Sequence, residues 1–267
     1  MIRAAAVAGQ FYPRDREGLL KTVEKLVDTT LPKQEVRCVI MPHAGYIYSG
    51  PVAGKTISHV NVKDTVLILG PNHTGLGLPY SIMSEGAWET PLGEIKIDSG
   101  LAKLILQDSK FIKIDENAHM FEHSIEVELP FLQYFNKDLS MVPMIISDLN
   151  LQYFKSVGQE IARAIKQHTK PTLIVASTDM THYQPHDMAK DKDAQAIEAI
   201  LKLDVEGLNK VIKKRNVSMC GFAPVAVAIY ACLELGAKKA ELIDYKTSGD
   251  ITGDYSSVVG YAGIIIK

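Results

Sequence analysis

Residues 65–75, TVLILGPNHTG, decide the fold: a β-prone apolar run breaks at Gly70-Pro71 and hands over at once to Asn72-His73-Thr74. The same order occurs at 36–46, where VRCVIM leads into Pro42-His43-Ala44-Gly45-Tyr46. It occurs again at 172–183, where TLIVA leads into Ser177-Thr178-Asp179-Met180-Thr181-His182-Tyr183. Runs so nearly continuous in apolar residues read as strands covered on both faces. In open α/β sheets, ligands bind outside the carboxyl ends of the strands. If these strands are parallel, His43, His73, Asp179 and His182 converge on one edge. A histidine after one strand is an ordinary loop residue; the repetition after distant strands points to a functional cluster.

Outward from these runs, another strand is expected at 139–146 (LSMVPMII), and two more near 241–245 and 257–265. Helical periodicity falls at 15–28, 51–59, 99–107, 151–167, 187–203 and 224–235. The segment 88–98, WETPLGEIKID, reads as a hairpin insertion turning at Pro91-Leu92-Gly93. Strands alternating with helices define an α/β protein, expected as a single-domain three-layer sandwich over 1–267, with a mostly parallel or mixed central sheet flanked by helices. No repeat, low-complexity tract or linker divides the chain.

Composition narrows the function classes. Of the 267 residues, 46% are hydrophobic and 22% charged, so a large core forms without disulfide staples. The net charge of −2 is spread along the chain and offers no basic face for nucleic acid. The longest apolar stretch, 221–233, is too short to span a bilayer, and the amino terminus carries no secretion signal, so a cytoplasmic location is expected. The odd set Cys38, Cys220 and Cys232 fits free thiols in a reducing compartment. Cys38 inside a strand and Cys232 inside a helix read as small buried residues. Cys220 stands before a helix start, where the dipole favours the metal-ligating thiolate, and a small buried apolar residue is the equal alternative there.

His119-Met120-Phe121-Glu122-His123 fits H-x-x-E-H, in which a helix would present both histidines to zinc and Glu122 as general base. The loop-like Asp115-Glu116-Asn117-Ala118 before it argues that the helix begins later. His123 and Glu126, at i and i+3, would then share a face. No Walker A loop, G-x-G-x-x-G fingerprint or G-x-S-x-G elbow occurs.

Ala8-Gly-Gln-Phe-Tyr-Pro13, Pro42 to Gly50 (PHAGYIYSG), Gly70-Pro-Asn-His73-Thr74, Thr90-Pro-Leu-Gly93, Glu122-His-Ser-Ile-Glu126 and Ser177-Thr-Asp179 resemble, in order, the successive signatures of the Memo family. That resemblance implies a fold similar to class III (LigB-type) extradiol dioxygenases. It also implies a metal pocket with His43, His73 and Cys220 as ligands and with Asp179 and His182 nearby. His123 and Glu126 would belong to the pocket wall or to the layer of groups behind it, and not to a separate zinc site. Such dioxygenases hold Fe(II) with two histidines and a carboxylate. A thiolate in the carboxylate's place keeps iron the first expectation, admits copper and puts zinc third. The enzyme reading is a non-haem iron oxidoreductase acting on a chelating small molecule, with His182 or His123 as base. The competing reading is a metal-handling protein or a scaffold that docks a peptide in the same pocket. The resemblance further implies radical-SAM and AMMECR-type protein partners.

Overall fold

The four apolar runs become adjacent parallel strands in a computed structural model that describes residues 1–107 and 109–267. The strands are β1 (Ile2–Arg3), β2 (Cys38–Met41), β3 (Thr65–Pro71), β4 (Tyr80–Ile82), β5 (Ala87–Thr90), β6 (Gly93–Ile97), β7 (Lys113–Ile114), β8 (Ser140–Ile146), β9 (Thr172–Ser177), β10 (His182–Gln184), β11 (Ala240–Thr247) and β12 (Val258–Ile266). The helices are α1 (Arg16–Leu26), α2 (Tyr46–Ser58), α3 (Ser99–Gln107), α4 (Leu129–Phe135), α5 (Leu151–Gln167), α6 (His186–Leu201), α7 (Val205–Arg215), α8 (Phe222–Glu234) and α9 (Gly249–Thr252). They surround one mixed sheet of order β1-β5-β6-β8-β3-β9-β2-β12-β10, with β11 on β12 and the pair β4 and β7 on β8.

Alternation along the central strands builds the three layers. Cys38, Ile40, Leu67, Leu69, Ile174 and Ala176 face one core with α5 and α8. Val39, Met41, Val66, Ile68, Leu173 and Val175 face the other, with α1, α2 and α4. All of these side chains are buried, as their unbroken apolar character predicts. Helix ends follow local chemistry: Asp15, Asn150 and Asp204 cap α1, α5 and α7 through their side chains.

Some expectations need adjusting. The hairpin forms with Ala87 opposite Lys96 and Thr90 opposite Gly93, but it is no insertion. Ile95 and Ile97 are buried, and β6 adds in parallel to β8, so the hairpin extends the sheet. Helix α2 starts before Pro51, because the Tyr46 N–H donates to the Phe11 carbonyl and anchors an earlier turn. The Asp204-capped α7 was not expected; it is largely polar and buries only Val205 and Leu208.

Candidate functional site

Strand β9 lies between β2 and β3, all parallel, so the residues after their carboxyl ends meet at one edge. There they line a cleft of about 630 Å³ with Phe11, His43, Tyr48, His73, His123, Asp179, His182, Tyr183 and Tyr261. One donor atom each from His43, His73 and His123 lies within 4.8 Å of the others, a spacing at which they could hold one metal ion. Ring centroids are 5.1 Å apart for His43–His73 and 4.5 Å for His73–His123.

Each imidazole is held from behind. His43 pairs through Nδ1 with Ser177 Oγ at 2.7 Å, and its backbone N–H donates to Asp179 Oδ1 at 2.9 Å. Burial, then the neighbouring His73 and His123, hold His43 well below the ordinary imidazole range. It is therefore neutral, the form that ligates metal. His73 Nδ1 lies 2.9 Å from Glu122 Oε1, and the His73 backbone N–H donates to Glu122 Oε2 at 2.5 Å. Burial raises the Glu122 pKa, but the bonds and charge from His73 outweigh it and hold it at about 2. Glu122 is thus an ionised acceptor that fixes Nδ1–H on His73 and leaves Nε2 for the cleft. His123 packs on Phe11 at 4.7 Å between centroids, with Nδ1 3.5 Å from Glu122. His182 Nδ1 lies 2.9 Å from the Ser218 carbonyl, which can only accept, so Nδ1 is the donor and Nε2 is left uncommitted.

Cys220 Sγ sits 3.4 Å from His43 Nε2 and accepts from the Asp179 N–H at 3.3 Å. Ligands about 2.1 and 2.3 Å from a shared tetrahedral ion lie about 3.6 Å apart, so this spacing fits a common metal. The next residue must be glycine: a Cβ on Gly221 would meet the Ser177 carbonyl oxygen at 2.3 Å. That close approach brings the start of α8 against the end of β9. The helix-dipole expectation for the thiol does not hold without a metal. Burial, then the Asp179 charge, push Cys220 up to about 12. Desolvation outweighs the dipole, and a bound cation would reverse that balance. Burial also pushes Asp179 up to about 6, against the bond from the His43 N–H.

Glu126 does not line the cleft. It is fully buried; Oε2 accepts from Arg3 and the Ala6 N–H, and Oε1 from the Val7 N–H and Tyr12 hydroxyl. A short 3₁₀ turn at Glu126–Glu128, in place of the expected helix, directs it to the amino-terminal segment. Its work is to strap Phe11 and Tyr12 behind the site. His119 is also apart: fully buried, with neither ring nitrogen hydrogen-bonded among the described residues, it packs edge-on to Trp88 at 5.9 Å. Burial, then Arg3, hold it at about 4. Residues 115–125 form no helix, so His119 and His123 share no face and the H-x-x-E-H zinc geometry is absent. Cys38 and Cys232 are buried free thiols, as expected. Trp88 and Tyr46 belong to the core; the aromatic residues of the cleft are Phe11, Tyr48, Tyr183 and Tyr261.

Sequence reasoning missed Ser177 and Glu128 as supporting groups and gave Glu122 a different role. Glu122 and Ser177 both stood in the motifs quoted above, but nothing local gave either the task of holding an imidazole, and nothing local marks Glu128.

A sequence profile described as Memo-like protein matches residues 3–265. The chain is 45% identical to a MEMO1 family protein of Methanopyrus kandleri, covering 100% of this chain and 99% of that one. It is 44% identical to another of Methanothermobacter thermautotrophicus (98% and 99%) and 42% identical to one of Aquifex aeolicus (99% and 98%). Among solved structures, an uncharacterized protein of Escherichia coli K12 superposes with a TM-score of 0.53 at 14% identity, covering 86% of this chain and 99% of that chain, which shows a common fold. With its cleft at the strand ends and its whole length matched, the chain belongs to the Memo-like protein family.

Proposed function

We propose that the cleft holds a non-haem metal ion, iron(II) before copper, through His43, His73 and Cys220, and that the centre acts on a small chelating molecule. The observation that carries this reading is the way the imidazoles are tethered. His43 and His73 are each gripped at Nδ1, by Ser177 and Glu122, which leaves Nε2 for the shared space. Metal-binding histidines are typically fixed through the other ring nitrogen in this way. Neutral imidazoles and a thiol suit iron or copper, and suit magnesium or calcium poorly.

When bound, the ion supplies Lewis acidity and redox capacity; the protein supplies position and proton handling. His182 lines the cleft with Nδ1 committed to the Ser218 carbonyl, which leaves Nε2 as the nitrogen to serve as a base for an acidic hydroxyl. Tyr183 is 76% exposed at the cleft mouth and Tyr48 40%, and together with Phe11 they offer faces for a planar ligand. The radical-SAM and AMMECR-type partners implied by the resemblance belong to this proposal as well. Loading with Fe(II) under anaerobic conditions, then following oxygen uptake with a panel of catechols, tests the enzyme. Uptake that falls on His182→Ala supports it. Iron-loaded protein inert toward the whole panel removes the oxidoreductase in favour of metal handling.

A second ligand set is favoured by one observation: His123 joins His43 and His73 within 4.8 Å, and Cys220 is outside that group. Metal titration of Cys220→Ala beside His123→Ala separates the two. Loss in the cysteine variant alone supports the thiolate site, and loss in the histidine variant alone supports the three-histidine site.

A further inference from the structure

We propose that Ser177 is a positioning residue for His43, turning the Nε2 lone pair to the cleft, and that Glu128 holds Ser177 in place by donating a hydrogen bond to it. This rests on reading His43 as a metal ligand. Ser177 Oγ has three close partners: His43 Nδ1 at 2.7 Å, the Ser124 carbonyl oxygen at 2.7 Å and Glu128 Oε1 at 2.9 Å. A hydroxyl has one proton to give and two lone pairs to receive with. The Ser124 carbonyl can only accept, so the single proton of Ser177 goes there. His43 Nδ1 and Glu128 Oε1 must then both donate. Any other allocation leaves two acceptors facing each other below 3 Å in a buried place, which desolvation makes costly.

The surroundings agree with this allocation. Ser124, Ser177 and Glu128 are fully buried, and His43 is 2% exposed. Glu128 Oε2 has no hydrogen-bond partner among the described residues, and no cation forms an ion pair with this carboxyl there. A buried carboxylate so placed would be uncompensated, whereas a neutral carboxyl tolerates one unpartnered oxygen. Burial raises the Glu128 pKa well above the usual range against the opposing hydrogen bond with Ser177, and the charge of Asp179 adds to the rise. With Nδ1–H committed to Ser177, the ring presents Nε2 as a lone pair 3.4 Å from Cys220 Sγ. His43 is thereby set for a metal before one arrives. His73 reaches the same state through an ionised partner, Glu122.

The test is nitrogen-15 NMR of histidine-labelled, metal-free protein, with Fe(II) titration run in parallel. Wild-type His43 should show a protonated Nδ1 and a lone-pair Nε2. Ser177→Ala should release the ring to the Nε2–H form favoured in water and weaken Fe(II) binding about 10–100-fold, the usual effect of losing an outer partner. Glu128→Gln, whose amide can still donate to Ser177, should keep both properties. Its infrared difference from wild type at neutral pH should contain a protonated carboxyl band. Wild-type His43 found as Nε2–H overturns the proposal without any variant, as does Ser177→Ala with unchanged tautomer and affinity. An infrared difference containing only a carboxylate overturns the part given to Glu128. If wild-type protein takes up no metal, the metal reading fails, and the tautomer in metal-free protein still decides the hydrogen-bond assignment.

Discussion

The two ends of the parallel strands make different use of similar space. At the carboxyl edge, a cleft of about 630 Å³ gathers His43, His73, His123 and Asp179. At the amino edge, a larger hollow of about 750 Å³ is lined by Glu35, Arg37, Lys63, Lys166, Lys170 and Lys267. Its lysines are answered by acids: Lys63 by Glu35, Lys166 by Glu234 at 3.2 Å, Lys170 by Asp98 at 3.8 Å and Lys267 by Glu241 at 2.6 Å. Most of these pairs are water-exposed and carry little energy. The acids there are lowered by their hydrogen-bonded partners, as Glu35 is by Lys63 and Glu241 by Lys239 and Lys267. At the carboxyl edge, by contrast, the groups are buried, and burial is the largest cause acting on His43, Asp179 and Cys220. Volume does not distinguish the ends; desolvation does.

That contrast is broken most severely by cutting the strap behind the cleft. Arg3→Met removes the cation from the fully buried Arg3–Glu126 pair at 2.7 Å and strands the carboxylate. We expect a loss of about 3–5 kcal/mol in urea unfolding. A loss below 1 kcal/mol would mean that this end is no more constrained than the other. Next comes Glu122→Gln, which keeps the shape and removes the charge behind His73. Fe(II) affinity measured against a competing chelator should fall about 10–100-fold with the fold intact.

The pH dependence of metal-free protein sharpens the comparison, because two carboxyls at the same edge act in opposite senses. Glu122 is lowered from 4.5 to about 2, so its stabilisation is complete above 4.5 and is lost as pH falls toward 2. Asp179 is raised from 3.8 to about 6, so its contribution is complete below 3.8 and is lost as pH rises through 6. Urea midpoints across this range should flatten on the acid side in Glu122→Gln and between pH 4 and 6 in Asp179→Asn. Identical profiles for wild type and both variants would remove the electrostatic distinction. The smallest effect belongs to the opposite edge: Lys166→Ala should cost under about 1 kcal/mol and leave metal affinity unchanged.

The frame of this site was legible in the sequence because it depends on local grammar. A buried strand followed by Pro-His or Ser-Thr-Asp says where the chain turns and what it carries there, and β2, β3 and β9 obey it. The supporting groups were not legible, because they depend on register between distant segments. Ser177 meets Glu128 and Ser124 across 49 and 53 residues, and His73 meets Glu122 across 49. Of the two places open to Glu126, the pocket wall or the layer behind it, helical spacing could not choose; the 3₁₀ turn at Glu126–Glu128 and the bonds to Ala6, Val7 and Tyr12 put it behind. For the Cys220 thiol, position before α8 suggested a lowered pKa; burial, invisible in sequence, decides the opposite. The amphipathic α7, which buries little, shows that periodicity without much core contact is easily passed over.

The central claim is a metal centre built on His43, His73 and Cys220. It is tested most directly by the metal content of protein purified without oxygen, comparing wild type with His43→Ala, Cys220→Ala and His123→Ala. Near-stoichiometric iron in wild type that is lost in the first two variants and kept in the third is the predicted result. Metal absent from wild type even after anaerobic reloading, or retained undiminished in His43→Ala and Cys220→Ala, would contradict it.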